Sequence, residues 1–282
     1  MASPEQSADG AQDPVVLGRQ AVKLHQQGHS AQAEPLLQQA LELQRASGVA
    51  SQPQFAVLLN NLGVICRELG KQEEAKPLFL QALEVDRGSL GEKHAQFATH
   101  LNNLAGLHQE MGDLDQALTL LKKVVQIDEE VLGKDSPQYA THINNLAVLH
   151  LQLGDPDSAL PLMQEAVEIG RATIGETHPR YASRLNNLAL VHSYLAQNEE
   201  AREQFKQAVQ INQGALGEDH PEFGIVTVNL AELERRMGEY DEAIRHADNA
   251  HRVFLRSLGK DDPQTESVWR FLQSLKRAQR AQ

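Results

Sequence analysis

Cysteine occurs once in 282 residues, at Cys66, which excludes an internal disulfide and, by itself, a thiolate metal cluster. A reducing compartment suits such a chain, so the expected localisation is cytoplasmic. Aromatic residues make up only 4% against 41% hydrophobic overall, so the core must come mainly from Leu, Ala and Val, as in a helical array rather than a β-sandwich. Positive charge is also scarce. With Lys+Arg 26 against Asp+Glu 38, the formal net charge is -12, which repels phosphate backbones and anionic surfaces and argues against nucleic acid as a partner. No apolar run approaches the roughly 20 residues that span a bilayer, so membrane insertion is not expected. Residues 1–13 are polar and acidic and are expected to form a disordered leader without an export signal. Catalytic motifs are missing as well. The Gly-Lys pairs at Gly70, Gly133 and Gly259 have no glycine five residues earlier, and neither H-E-x-x-H nor G-x-S-x-G occurs. The expectation is a protein that is not an enzyme and needs no cofactor or metal.

What is present is a period. Asn-Asn-Leu stands at Asn60-Asn61-Leu62, Asn102-Asn103-Leu104, Asn144-Asn145-Leu146 and Asn186-Asn187-Leu188, with a worn copy at Val228-Asn229-Leu230, each 42 residues after the last. A spacing without insertions is required when each unit stacks on its neighbour in fixed register. Within one unit, Leu101, Leu104, Ala105 and His108 follow the i, i+3, i+4, i+7 spacing of a helix face. Gly112 ends that helix, and Leu114, Ala117, Leu118, Leu121, Val124, Val125 and Ile127 mark the apolar face of a second. Asp135 or Ser136 then caps the next helix, with Pro137 suited to its first turn. The inner turn recurs at Gly28, Gly70, Gly112, Gly154 and Gly238, with Ala196 as the one substitute, and an alanine follows five residues later in all six units.

This pattern resembles the tetratricopeptide repeat in its 42-residue form, as in kinesin light chains and nephrocystin-like proteins. The resemblance is carried by Leu104, Ala105, Gly112, Ala117 and Val124 and by the outer-turn runs Gly175 to Pro179 and Gly217 to Pro221. It implies an all-α fold, a right-handed α-solenoid superhelix of about six helix pairs. The array is expected over 14–257, with a capping helix and tail over 258–282. Pairs are expected at about 14–46, 54–88, 96–131, 138–173, 180–215 and 222–257, the first degenerate because Gly18, Arg19 and Gln20 replace Asn-Asn-Leu. Family likeness further implies that the first helices line a concave groove that takes extended peptides.

On the first helices a polar stripe runs opposite the Leu101 face, which places the asparagine pair away from the core. The corresponding candidate groove residues are Asn60, Asn61, Val64 and Arg67, then Thr99, Asn102 and Asn103, then Thr141, Asn144, Asn145 and Val148, then Ser183, Asn186, Asn187 and Leu190, and finally Asn229. A carboxamide offers a donor and an acceptor and so pairs with peptide backbone whatever its sequence. The expected function is therefore an adaptor that captures an extended segment of a partner protein. The competing reading is a self-assembling scaffold in which the amides bond from helix to helix and only fix register, with Phe254, Trp269 and Phe271 as contacts between copies. The first reading expects Asn102→Ala with Asn144→Ala to abolish capture at an unchanged melting temperature. His108, His150 and His192 are read as packing residues, His100 and His142 as partly exposed, and His94, His178 and His220 as loop caps.

Overall fold

The structure, a computed structural model, describes residues 13–280. The expected leader, up to residue 12, lies outside the described residues. Among those described there are thirteen α-helices and no strand. In order they are α1 (Pro14–Gln26), α2 (Ser30–Ala46), α3 (Pro53–Glu68), α4 (Gln72–Ser89), α5 (Ala95–Glu110), α6 (Leu114–Val131), α7 (Pro137–Gln152), α8 (Pro156–Thr173), α9 (Pro179–Tyr194), α10 (Asn198–Leu216), α11 (Pro221–Met237), α12 (Tyr240–Ser257) and α13 (Pro263–Arg280). The chain forms two compact units, Met1–Lys134 with α1 to α6 and Asp135–Gln282 with α7 to α13. In each, odd and even helices pair and successive pairs stack.

Local chemistry sets the helix boundaries. Asp13 and Ser136 accept from the backbone N–H of Val15 and Gln138, each just before a proline at the first helical position. His94, His178 and His220 do the same through Nδ1, as loop caps should. At the inner turns Gly112 has φ +80°, and a Cβ there would meet nothing, so conformation and not space selects glycine. Ala196 takes the same turn at φ 59°, the one non-glycine residue at positive φ among those described.

The cores are built from small and branched residues. Ala33, Ala75 and Ala117 in the first unit and Ala159, Ala201 and Ala243 in the second are all fully buried, which brings paired helices close. Gly63 shows how close: a Cβ there would stand 2.8 Å from Cε1 of buried Phe79. Each fully buried leucine or phenylalanine contributes about 1.5–3 kcal/mol. α13 seals the last pair by setting Leu272 and Leu275 against Ala231, Ala243 and Ala247.

Two expectations about side chains need correction. His100 and His142 are buried, with 3% and 4% exposure. His100 Nδ1 lies 2.7 Å from Oδ2 of fully buried Asp86, whose other oxygen accepts from Gln96 Nε2 at 2.8 Å. An aspartate one helix away has turned a predicted surface histidine into part of a buried polar junction. Phe254, proposed as a contact between copies, is 2% exposed and packs with Ala250 and Val268, so it has no face to offer.

Candidate functional site

α3 and α5 in the first unit, and α7, α9 and α11 in the second, present the candidate residues. The asparagine pairs split. Asn60 and Asn186 are buried, at 5% and 8% exposure, whereas Asn61, Asn103, Asn187 and Asn229 are half-buried. The expectation that both members look outward is therefore wrong for the first of each of those pairs. One residue's advance along a helix turns the side chain by about 100°, enough to carry it from the gap between helices to the outer face.

The first member of a pair receives a hydrogen bond from the second asparagine of the following repeat, and of these acceptors Asn60 and Asn186 are buried and Asn144 half-buried. In the first unit Asn103 Nδ2 donates to Asn60 Oδ1 at 2.9 Å. In the second, Asn229 Nδ2 donates to Asn186 Oδ1 at 2.8 Å and Asn187 Nδ2 to Asn144 Oδ1 at 3.1 Å. Within each pair the chain continues, from Asn186 Nδ2 to Asn187 Oδ1 at 3.3 Å and from Asn144 Nδ2 to Asn145 Oδ1 at 3.5 Å. Four bonds thus run unbroken from Asn229 to Asn145, and the three amides between them, Asn186, Asn187 and Asn144, each use one N–H and one lone pair in it. This line ties α7, α9 and α11 to one another through side-chain amides.

Asn61 is the exception. Gly18 occupies the place where the preceding repeat would supply the acceptor, and Asn61 makes no hydrogen bond among the described residues. It lines a cleft of about 320 Å³ with Val15, Gly18, Arg19, Val22, Val57 and Leu58. The close approach of α1 and α3 is set by Gly18, whose Cβ would stand 2.7 Å from Leu58 Cδ2. Exposed Val57 and Val15 give the cleft apolar walls.

The remaining candidates are placed as follows. Val64, Val148 and Leu190 are half-buried along the outer face. Thr99, Thr141 and Ser183 turn their hydroxyls back to their own helices, donating to the carbonyls of Ala95, Pro137 and Pro179. Arg67 donates from Nη1 to the Asn103 carbonyl at 3.5 Å and lies 3.5 Å from Glu110 through Nε.

Sequence reasoning missed the second duty of the packing histidines. His108 and His150 place Nδ1 at 3.0 and 3.2 Å from Oδ2 of Asp113 and Asp155, and His192 meets Gln197 Oε1 at 2.5 Å. The other oxygen of each aspartate caps the second helix, accepting from the N–H of Gln116 and of Ser158. Each pair is thereby clasped across its own turn, and the constant five-residue spacing was the signal available. Glu34, buried Cys66 and Glu74 bring potential metal-ligating atoms within 4.8 Å. Their chemistry opposes a cation, because Lys71 Nζ already holds Glu34 at 2.6 and 2.8 Å. Burial first, and then the charges of Glu34 and Glu74, push the Cys66 thiol up to about 11.

The model of the tetratricopeptide-repeat family matches residues 15–88, 96–172, 143–214 and 222–280. No curated protein matches. Among solved structures the chain is similar to BtubC (BKLC) from P. vanneervenii, at 22% identity and TM-score 0.64, over 84% of this chain and 90% of that one. It is likewise similar to a Podosopora anserina putative kinesin light chain with nearly identical repeats, at 23% identity and TM-score 0.63, over 73% and 97% of the two chains. Pseudomonas aeruginosa pilF gives 19% identity and TM-score 0.59, over 92% and 98%. At such identities the likeness shows the fold. Among the described residues no helix is long and apolar enough to cross a membrane.

Proposed function

We propose that this chain, which belongs to the tetratricopeptide-repeat family, is a non-enzymatic adaptor that captures an extended segment of a partner protein on the outer face of its first helices. Proteins of this family generally mediate protein–protein interaction or scaffolding. Asn61 carries the reading: a carboxamide without an internal partner, at the rim of an apolar cleft and in line with the other outer asparagines. An incoming backbone would accept from and donate to this amide while apolar side chains enter beside Val57 and Val22. The amide of Asn187 uses one N–H and one lone pair on its neighbours, so its remaining N–H and lone pair would serve a peptide without releasing them.

Asn61→Ala removes no internal hydrogen bond, which separates recognition from stability. A peptide array probed with wild type and Asn61→Ala is expected to show capture weakened by roughly tenfold with an unfolding midpoint no lower than that of wild type, the loss of a buried hydrogen bond of about 1–1.5 kcal/mol. Equal capture by both proteins would refute the assignment.

The scaffold reading is favoured by one observation of its own, the exposure of Trp269, 46%, its ring tilted 39° to that of His251 at 5.1 Å between centroids. Light scattering over a concentration series decides it, with a concentration-dependent mass that Trp269→Ala abolishes as the supporting outcome.

A further inference from the structure

The cleft beside Asn61 is open because a plug found one repeat later is missing. Between α4 and α5, buried Asp86 accepts from Gln96 Nε2 at 2.8 Å and lies 2.7 Å from His100 Nδ1, while Gln96 also donates to the Pro53 carbonyl at 3.2 Å. Three polar side chains close that junction. In the second unit the places of Asp86 and His100 are held by Gly170 and Arg184, and the guanidinium fills the space, since a Cβ on the glycine would stand 2.4 Å from Nη1.

One repeat before Asp86, Gln96 and His100, the same places hold Gln44, Gln54 and Leu58, and all three line the cleft. A neutral amide replaces the carboxylate that draws its partners in by charge-assisted bonds, and leucine offers no hydrogen bond at all. Gln54 is exposed and its side chain makes no hydrogen bond among the described residues, so it does not fold across as Gln96 does. Gln44 is left on the floor. It is 7% exposed, and its Oε1 is buried without a partner. Its Nε2 makes no hydrogen bond among the described residues and is not sealed, so this edge of the amide offers its N–H donors to the cleft. A deeply buried side-chain amide with no bond of its own is rare in a folded protein.

We infer that the cleft takes a tyrosine side chain of the captured segment, its hydroxyl accepting from Gln44 Nε2. This rests on the reading of Asn61 as a contact for the segment's backbone. Val15, Val22, Val57 and Leu58 supply apolar walls for a ring, and about 320 Å³ is the lower end for a ligand pocket, room for one large side chain. Gln44 then selects the tip. Because the amide presents N–H, the tip must accept, which rules out indole, ammonium and guanidinium groups, all of them donors only. A carboxylate accepts, but exposed Arg19 would hold it at the rim, where it keeps its water. Serine and threonine leave the walls uncovered, and glutamine gives up more rotamer freedom than a ring with two torsions.

The test titrates the full chain with p-cresol, the tyrosine side chain alone, and with toluene, which lacks only the hydroxyl, following the methyl resonances of Val15, Val22, Val57 and Leu58. p-Cresol is expected to bind roughly tenfold more tightly, the worth of one buried hydrogen bond, and Gln44→Leu to bring the two within about twofold. Gln44→Leu removes an amide without a partner, so it should fold at least as well as wild type. Among peptides that wild type captures and Asn61→Ala releases, replacing tyrosine by phenylalanine should cost the same factor, and only while Gln44 is present. Equal binding of p-cresol and toluene overturns the inference. So does a preference that survives Gln44→Leu. Capture that depends on Asn61 but shows no preference for tyrosine refutes this inference alone, whereas Gln44-dependent p-cresol binding without any Asn61-dependent capture refutes the adaptor reading, and the partner's tyrosine with it.

Discussion

Replacing Asn187 by alanine breaks the asparagine line at its middle. Two hydrogen bonds are lost, the donation to Asn144 at 3.1 Å and the acceptance from Asn186 at 3.3 Å. Each such bond contributes about 0.5–1.5 kcal/mol net. Asn186 is only 8% exposed, so its amide has little water to turn to, which places the loss at the upper part of that range. Alanine is the better helix former, which offsets about 0.5 kcal/mol. The expected destabilisation is about 1.5 kcal/mol. Asn61→Ala gains the same propensity and loses no bond, so the two variants should differ by about 2 kcal/mol although they occupy equivalent places. Repeat arrays need not unfold as one unit, so each variant should be read locally, by native-state hydrogen exchange of the α7 and α9 amides for Asn187→Ala and of the α1 and α3 amides for Asn61→Ala. A double-mutant cycle on Asn144 and Asn187 should return a coupling of at least about 0.5 kcal/mol. If Asn187→Ala lies within 0.5 kcal/mol of Asn61→Ala, the line of amides is not what fixes register.

Further outcomes follow from other parts of the molecule. Ala196→Gly should raise stability by roughly 0.5–1 kcal/mol in urea unfolding, because its φ of 59° strains a Cβ and the other inner turns use glycine. Glu92 accepts from Lys123 Nζ and Arg87 Nε, both at 2.7 Å, and those bonds, Lys123 first, lower its carboxyl to about 2. Since the folded pKa is depressed, its contribution is full above the ordinary carboxylate range and is lost as pH falls toward about 2. Glu92→Gln should therefore flatten the stability profile between about pH 4.5 and 2, measured by urea midpoints. Cys66 is 2% exposed with its thiol pushed up to about 11, so a disulfide reagent should react at neutral pH only as fast as α3 and α4 open, and without delay in denaturant.

The fold was legible because a solenoid is local. Each 42-residue unit meets mainly its neighbours, so a helix period, a turn glycine and a capping side chain, all within a few residues of one another, specify it. Pro137 and Ser136 announced the start of α7, and Gly112 the end of α5, before any tertiary contact was known. The small residue after each inner turn announced the close helix pairs. These signals rest on steric and hydrogen-bonding rules that act between adjacent residues.

Partners one repeat or more away were not legible. A stripe on a helical wheel gives direction from one axis only, whereas the neighbouring helix decides whether that direction meets solvent, as for Asn61, or another chain segment, as for Asn60. His100 became part of a buried junction because Asp86 reaches it from another helix, and Arg184 lost such a partner because Gly170 stands in its place. The sequence by itself determined the repeat, its helices and its turns. Only the tertiary structure decided which polar groups within the repeat are satisfied internally and which, like the Asn61 amide, are left for something else, because that depends on distances between helices that no residue's neighbours in the chain can set.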